Sequence, residues 1–202
     1  MIIDPVVCRG RAVADIADAA CKGGATIIQL RNKHDDILCV KEQALSIQKV
    51  LEGSDVPFII NDYVDLVKEL DLDGVHIGQE DGSPEDARRI IGGDKVLGLT
   101  AFSKAHYDAI DPSNVDYVGT GPFYATKTKP NKAVLGLQGF TDLMKYAPVP
   151  VVGIGGITPT NSAAVIEAGA QGVAMMRAVS EADDPTAATR LFVDVVQGVS
   201  ND

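Results

Sequence analysis

Short apolar runs rich in β-branched residues alternate with longer segments of helical period along the whole chain, and this alternation constrains the fold more than any other feature. The predicted strands are Met1–Ile3, Thr26–Leu30, Phe58–Ile60, Gly74–Ile77, Val96–Leu99, Asp116–Gly119, Val151–Ile154 and Gly172–Met175. The predicted helices lie near residues 11–23, 36–52, 63–70, 84–91, 103–110, 137–146, 160–168 and 185–198. Strict alternation implies parallel strands joined by right-handed crossovers. We therefore predict an α/β fold, a (β/α)8 TIM barrel formed by residues 1–202 as a single domain, with a doubly wound sheet as the rival topology.

Two helix starts carry capping signals. Ser83-Pro84 with Asp86 is typical of an N-cap followed by a proline in the first helical position and a capping acid. Thr158-Pro159 predicts the start of the seventh helix in the same way. The first strand is the weakest element, because it is short and terminal.

Composition limits the partners and the compartment. The net charge of −10 over 202 residues argues against binding to nucleic acids or anionic membranes, which need a basic face. An anionic ligand must instead meet local cations or a metal ion. No apolar run reaches membrane-spanning length, no signal peptide opens the chain, and the cysteines at 8, 21 and 39 show no metal or redox spacing. We expect a cytoplasmic protein that binds small phosphorylated molecules, and we consider a homodimer as its assembly.

Polar residues collect where predicted strands end, which in a barrel is the catalytic face. After the second strand, Gln29, Arg31 and Lys33 share one side of an extended segment and point to the barrel mouth. Two inward cations are costly without an anion. The alternative is that Arg31 and Lys33 merely pair with Asp35, Asp36 or another acid.

Two aspartates follow the third and fourth strands. Neighbouring parallel strands lie about 4.8 Å apart, so Asp62 and Asp81 can share one cation. Two carboxylates with phosphate oxygens and waters suit Mg²⁺. Beside Arg31 and Lys33, the pair indicates a metal–pyrophosphate site. The alternative is that Asp62, with Asp65, caps the following helix.

The remaining strand ends supply further candidates. Thr100 places a hydroxyl at the mouth, whereas His76 lies inside a strand and is either a hydrogen-bonded core residue or a ligand contact. The loop at 119–131 carries Thr126, Thr128, Lys127 and Lys129, and alternation directs Lys127 to solvent. The glycines at 153, 155 and 156 and the eighth strand end at Met176-Arg177 indicate a phosphate cradle. The sequence thus predicts two anion sites, with the 119–131 loop between them.

These residues fall in motifs that resemble those of the thiamine-phosphate synthases (thiamin phosphate pyrophosphorylases). The motifs are QLRNK at 29–33, IND at 60–62, DGVHIGQED at 73–81, YVGTGPFYATKTK at 117–129, GIGGI at 153–157 and GAQGVAMMRAV at 169–179. The resemblance implies a (β/α)8 barrel that joins 4-amino-5-hydroxymethyl-2-methylpyrimidine diphosphate to a thiazole phosphate, releasing pyrophosphate. It also implies a dissociative, Mg²⁺-assisted reaction that needs no side-chain nucleophile.

The resemblance assigns roles to individual residues. The pyrimidine diphosphate falls to Gln29, Arg31, Lys33, Asn61, His76, Thr100 and Lys129, of which Arg31, Lys33, Thr100 and Lys129 are the expected catalytic set. The Mg²⁺ ligands are Asp62 and Asp81. The thiazole phosphate falls to Thr126, Thr128, Gly155, Gly156, Met176 and Arg177.

Three positions depart from the family pattern. Thr100 replaces a usual serine, Phe102 replaces a commonly polar residue, and Arg177 replaces a small serine at the phosphate-binding end, where it either strengthens or obstructs the cradle. Two other functions stay open. One is a thiazole tautomerase, which would not need Asp62, Asp81 and Lys129 to expel pyrophosphate. The other is a non-catalytic binding protein on the same barrel.

Overall fold

Eight parallel strands form one sheet in which the order in space follows the order in sequence. The computed structural model describes residues 1–128 and 131–200, with only the backbone of Ser200. The strands are β1 Ile2–Ile3, β2 Ile28–Leu30, β3 Phe58–Asn61, β4 Gly74–Ile77, β5 Val96–Thr100, β6 Tyr117–Thr120, β7 Val151–Ile154 and β8 Gly172–Ala174. The Ile2 amide donates to the Met175 carbonyl at 2.9 Å and so joins the first strand to the end of the last. The predicted (β/α)8 barrel is confirmed, and the doubly wound alternative is wrong.

Helices follow the strands around the outside of the barrel. They are α1 Val13–Lys22, α2 Ile37–Leu51, α3 Val64–Glu69, α4 Pro84–Ile91, α5 Lys104–Asp108, α6 Gly136–Met144, α7 Ser162–Glu167, α8 Arg177–Ser180 and α9 Pro185–Ser200. The α8 helix was not predicted, because one turn is too short to show a helical period. Among the described residues, no helix is both long and apolar enough to cross a membrane.

The hydrophobic core lies between the sheet and the helices. The buried residues of α1 are Val13, Ile16, Ala17 and Ala20, whose spacing places them on one face of the helix. They belong to the same apolar cluster as strand residues such as Ile28, Leu30, Ile60, Val75 and Leu97. The core therefore fixes the strands from outside and leaves their carboxyl ends to carry polar groups.

One of the two capping predictions is confirmed and the other is wrong. Ser83 caps α4, since its Oγ accepts from the Asp86 amide at 3.1 Å. Thr158-Pro159 does not begin α7, which starts at Ser162. Instead the Thr158 amide donates to Asn161 Oδ1 at 2.8 Å, and this turn occupies the place of a first helical turn.

The first strand is as short as its sequence suggests, and it ends at an acid that the sequence analysis did not single out. Asp4 follows β1, is almost fully buried, and caps a single 3-10 turn at Pro5–Val7. Its Oδ1 accepts from the Val6 amide at 3.1 Å, which leaves Oδ2 directed elsewhere.

Candidate active site

A cavity of about 430 Å³ opens at the carboxyl ends of the strands, where barrel enzymes carry their chemistry. Most of the predicted site residues line it: Gln29, Arg31, Asn61, His76, Thr100, Thr126, Thr128, Gly155, Gly156, Met176 and Arg177. Lys33, Asp62 and Asp81 are not part of this lining and form a cluster of their own. Lys129 lies outside the described residues.

The aspartates form one coupled pair at the β3 and β4 ends. Lys33 Nζ lies 2.6 Å from Asp62 Oδ2, and each of the two aspartates shifts the pKa of the other. Asp81 Oδ2 also accepts from the Gly78 amide at 2.8 Å. The helix-cap alternative for Asp62 is wrong, because the N-cap of α3 is Tyr63 and no side chain caps that helix.

The pKa values of the two carboxyl groups shift in opposite directions. Burial raises the pKa of Asp62 above its usual range, with Lys33 opposing the shift and Asp81 adding to it. Burial also acts on Asp81, but hydrogen bonds from Asp62 and the Gly78 amide, together with Lys33, hold the pKa of Asp81 below its usual range. Nearby like charges separate the pKa values of two carboxyl groups in this way. The two carboxyl groups and Lys33 therefore form one electrostatically linked cluster.

Both predicted cations are paired with acids, though not with Asp35 or Asp36. Arg31 forms an ion pair with Asp4, and the two side chains are only 16% and 5% exposed. Asp35 instead accepts from Asn32, and Asp36 caps α2 through the Cys39 amide. The alternative that Arg31 and Lys33 pair with other acids is thus confirmed, since their partners are Asp4 and Asp62. Arg31 nevertheless lines the cavity while it is paired with Asp4.

A hydrogen-bonded network crosses the barrel interior below the cavity. His76 Nδ1 lies 2.9 Å from the Tyr117 hydroxyl, and His76 Nε2 lies 2.9 Å from Thr100 Oγ1. Burial raises the pKa of Tyr117 well above its usual value, although a hydrogen bond with Gln29 opposes that shift. His76 is therefore both a bonded core residue and a cavity wall, and it orients the Thr100 hydroxyl.

Asn61 carries one of the buried polar atoms that lack a hydrogen-bond partner among the described residues. Asn61 Nδ2 is buried and finds no hydrogen-bond acceptor among the described residues. Buried amide donors are nearly always satisfied, by protein, water or ligand. Since Asn61 lines the cavity, this donor is available to an oxygen of a bound molecule.

At the opposite end, the loops after β6 and β7 hold each other through their backbones. The Phe123 amide donates to the Ile154 carbonyl at 2.9 Å, and the Tyr124 amide donates to the Gly155 carbonyl at 3.0 Å. Gly156 has φ +65°, and a Cβ there would lie 2.4 Å from the Ala125 carbonyl oxygen. Only glycine permits this approach, which brings Thr126 and Thr128 beside the glycine turn.

Three charged residues near the cavity escaped the sequence analysis as site members. Asp4 gave the signal of an acid directly after a strand, and Glu181 lies one helical turn beyond Arg177. Lys132 lines the cavity, and its Nζ lies 3.9 Å from the centre of the Phe102 ring in a cation–π contact. Lys127 is exposed, as predicted, and lies at the cavity rim.

The fold and the cavity together define a class of protein. An eight-stranded parallel barrel with cations at one side of its mouth and a glycine-rich turn at the other has an arrangement typical of barrels that bind phosphorylated ligands. A sequence model of the family described as thiamine monophosphate synthase matches residues 1–179. The chain belongs to this thiamine monophosphate synthase family.

Individual relatives agree with that assignment. The thiamine-phosphate synthase of Chloroflexus aurantiacus is 41% identical over 191 residues, which cover 94% of this chain and 88% of the relative. The thiamine-phosphate synthase of Bacillus velezensis is 42% identical over 187 residues, covering 90% and 83%. The solved thiamine phosphate pyrophosphorylase from Pyrococcus furiosus superposes with a TM-score of 0.86 at 29% identity, covering 98% of this chain and 95% of that one. Orotidine 5'-phosphate decarboxylase from Pyrococcus horikoshii, with a TM-score of 0.71 at 14% identity over 98% and 100% of the chains, shares the fold alone.

Proposed function

We propose that this protein is a transferase that joins 4-amino-5-hydroxymethyl-2-methylpyrimidine diphosphate to a thiazole phosphate, giving thiamine monophosphate and pyrophosphate. The observation that supports the proposal is a cavity with Arg31 and amide side chains at one end and glycine-rich loops at the other, in a chain of the thiamine monophosphate synthase family. A reaction between a diphosphate and a phosphate monoester needs such an arrangement, because both anions must be present while one bond forms.

The diphosphate is assigned to the end formed by β2, β3 and β4. Arg31 and Lys33 are assigned to it as cations, and Gln29 and Asn61 as amides. The resemblance to the family also assigns Lys129 to the diphosphate, and this residue lies outside the described residues. The unpartnered Asn61 Nδ2 supports this assignment, since a phosphate oxygen is an acceptor that satisfies it. His76 and Thr100 contribute the polar floor below the pyrimidine.

Asp62 and Asp81 are the residues that would hold Mg²⁺. No group of three or more His, Cys, Asp or Glu side chains converges within residues 1–128 and 131–200, so these two carboxylates would be the protein's share of the ligands. That number fits Mg²⁺, which usually keeps waters and takes phosphate oxygens beside one or two carboxylates. When bound, the metal supplies electrophilic stabilisation of the departing pyrophosphate. The two interacting carboxyl groups at the β3 and β4 ends are the feature of this chain that fits a shared cation there.

In the proposed reaction, the side chains stabilise the charge of the leaving group and position the two substrates. The bond between the pyrimidine methylene carbon and the diphosphate oxygen breaks, and its electron pair leaves with pyrophosphate. The thiazole nitrogen then donates its lone pair to the carbon cation. Arg31, Lys33 and Lys129 stabilise the negative charge that grows on the leaving group, which is the form of catalysis that preorganised charges provide most strongly. The Thr100 hydroxyl, oriented by His76, lies at the wall where the pyrimidine would rest.

The thiazole phosphate is assigned to the end formed by the loops after β6, β7 and β8. Thr126 and Thr128 offer hydroxyls, Gly155 and Gly156 offer backbone amides, and Met176-Arg177 closes the site. This placement puts the ring nitrogen of the thiazole between its own phosphate and the diphosphate, as the reaction requires.

Pyrophosphate release tests the proposal. With both substrates and Mg²⁺, the protein should release pyrophosphate and form thiamine monophosphate, and EDTA should stop both. Absence of release, or release that EDTA does not affect, would refute a metal-assisted synthase.

A thiazole tautomerase is tested separately, by isomerisation of the thiazole carboxylate phosphate when no pyrimidine diphosphate is present. The Lys33–Asp62–Asp81 cluster favours the synthase, because isomerisation expels no pyrophosphate. If thiazole phosphate binds but neither reaction occurs, the barrel is a non-catalytic binding protein.

We also propose a cytoplasmic location. The three cysteines are all unpaired, which suits a reducing compartment.

A further inference from the structure

The thiazole-phosphate end contains one ion pair whose acid faces an anion site. Arg177, the first residue of α8, pairs through Nη1 with a carboxylate oxygen of Glu181, one helical turn away. Both side chains line the cavity, and they are 35% and 33% exposed. A carboxylate beside an incoming phosphate opposes its binding, so the pair is a poor arrangement for the bound state unless it opens.

The guanidinium is only partly used by this pair. Its Nε is buried and has no hydrogen-bond partner among the described residues. In a guanidinium, Nε–H and one Nη hydrogen point in parallel from the same edge, and this edge accepts phosphate oxygens two at a time. Glu181 is bonded to Nη1, which lies on the other side of the group. The edge suited to phosphate therefore still has an unsatisfied donor.

We propose that Glu181 is a competing anion that holds Arg177 in the free protein and gives it up when a phosphate monoester enters. The inference rests on the proposed function and deepens it by identifying a residue that sets affinity at the thiazole-phosphate end. A phosphate dianion out-competes a carboxylate for the guanidinium because it brings more charge and more acceptor oxygens. An unphosphorylated thiazole alcohol does not, so opening the pair discriminates between the two forms of the ring.

The exposure of the pair decides the size of the effect. A partly exposed ion pair contributes up to about 1 kcal/mol, so removing Glu181 should tighten phosphate binding by up to about fivefold. A hydrogen bond to a charged group is worth more, and losing the guanidinium should weaken binding by roughly tenfold or more. Opposite signs for two partners of one ion pair are the signature of competition.

Calorimetric titration with the thiazole phosphate alone tests this without turnover. Glu181→Gln should bind about two- to fivefold more tightly than the wild type, and Arg177→Gln should bind about tenfold more weakly. Asp183→Asn is the matched control, because it removes the same charge two residues away, on a fully exposed side chain that pairs with Arg9. It should change the affinity by less than about twofold.

Equal or weaker binding by Glu181→Gln would overturn the inference and make Glu181 a support that orients Arg177. Equal tightening by Asp183→Asn would also overturn it, since the effect would then be one of general charge. These failures are distinct from failure of the proposed function. If the wild type releases pyrophosphate but Glu181→Gln does not tighten binding, only this inference is wrong. If Glu181→Gln tightens binding but the wild type releases no pyrophosphate, only the proposed synthase activity is wrong.

Discussion

The two ends of the cavity differ in the groups that they offer to an anion. At the β2–β4 end, charged side chains dominate: Arg31 lines the cavity and pairs with Asp4, and the cluster of Lys33, Asp62 and Asp81 lies outside the lining at the same strand ends. At the β6–β8 end, backbone groups dominate, because the loops contact each other closely at Gly155 and Gly156. Arg177 is the arginine at this end, and it is paired with Glu181.

The difference follows from what each anion does in the proposed reaction. A leaving pyrophosphate gains charge as its bond breaks, so it needs a metal and several cations. The phosphate of the thiazole keeps its charge throughout and needs only to be held, which backbone amides and hydroxyls do well. We therefore expect changes at the first end to act on the rate, and changes at the second end to act on substrate affinity.

The largest effect is expected at the aspartate pair. Asp62→Asn or Asp81→Asn should lower kcat for pyrophosphate release by about 100-fold, because each removes charge that would hold Mg²⁺ against the leaving group. Asparagine is the better test than alanine at position 62, where φ is +68° and asparagine is tolerated.

Asp65→Asn is the control for that pair, because Asp65 is exposed in the first turn of α3 and outside the cluster. Its kcat should match the wild type. A kcat for Asp62→Asn that stays within about twofold of the wild type would contradict the metal assignment, provided that thermal unfolding shows the fold intact.

An intermediate effect is expected at the glycine turn. Gly156→Ala should raise the KM for the thiazole phosphate by about tenfold and lower the free energy of unfolding by about 3 kcal/mol, since the new Cβ meets the Ala125 carbonyl and the positive φ adds strain. Steady-state kinetics and chemical denaturation measure the two effects.

Gly136→Ala separates strain from collision. Gly136 has a nearly equal φ of +63°, but no atom of the described residues lies within 4 Å of its added Cβ, so only the backbone cost of about 1 kcal/mol should remain. Equal losses of stability and of substrate affinity in both variants would show that the close approach of the two loops is unimportant.

The smallest effect is expected at Asp4. Asp4→Asn keeps the bond from the Val6 amide but removes the charge that fixes Arg31, so the KM for the pyrimidine diphosphate should rise by about threefold. The KM for the thiazole phosphate should not change, and this split distinguishes a positioning role from general damage.

Asp36→Asn is matched to it, because Asp36 also caps a helix through Oδ1 and asparagine is an equally good cap. Neither KM should move in this variant. If Asp4→Asn raised both KM values equally, Asp4 would be a purely structural residue and Arg31 would not depend on it.

The sequence predicted most of the fold, because eight repeats of strand and helix leave few topologies open. The predictions that were wrong or missing have local causes. Thr158-Pro159 has the composition of a helix start, but the Asn161 side chain closes a turn there that no periodicity signals. The α8 helix is one turn long, so its Arg177–Glu181 pair had no predicted helix on which to be recognised.

The sequence could predict which site residues lie at the ends of neighbouring strands, because strand order follows from the fold. Asp62 and Asp81 were expected to meet because β3 and β4 are neighbours in a parallel sheet, and they do. The partner of Arg31 was not predicted, since Asp4 is close to it only through the pairing of β1 with β2. Which acid a cation selects depends on side-chain packing, and strand order does not determine it.

A crystal structure with thiamine monophosphate, pyrophosphate and Mg²⁺ tests the division of the cavity most directly. We expect pyrophosphate and the metal beside Asp62, Asp81 and Lys33, and the phosphate of thiamine monophosphate beside Gly156 and Arg177. A metal absent from the aspartate pair, or both anions at one end of the cavity, would contradict this expectation.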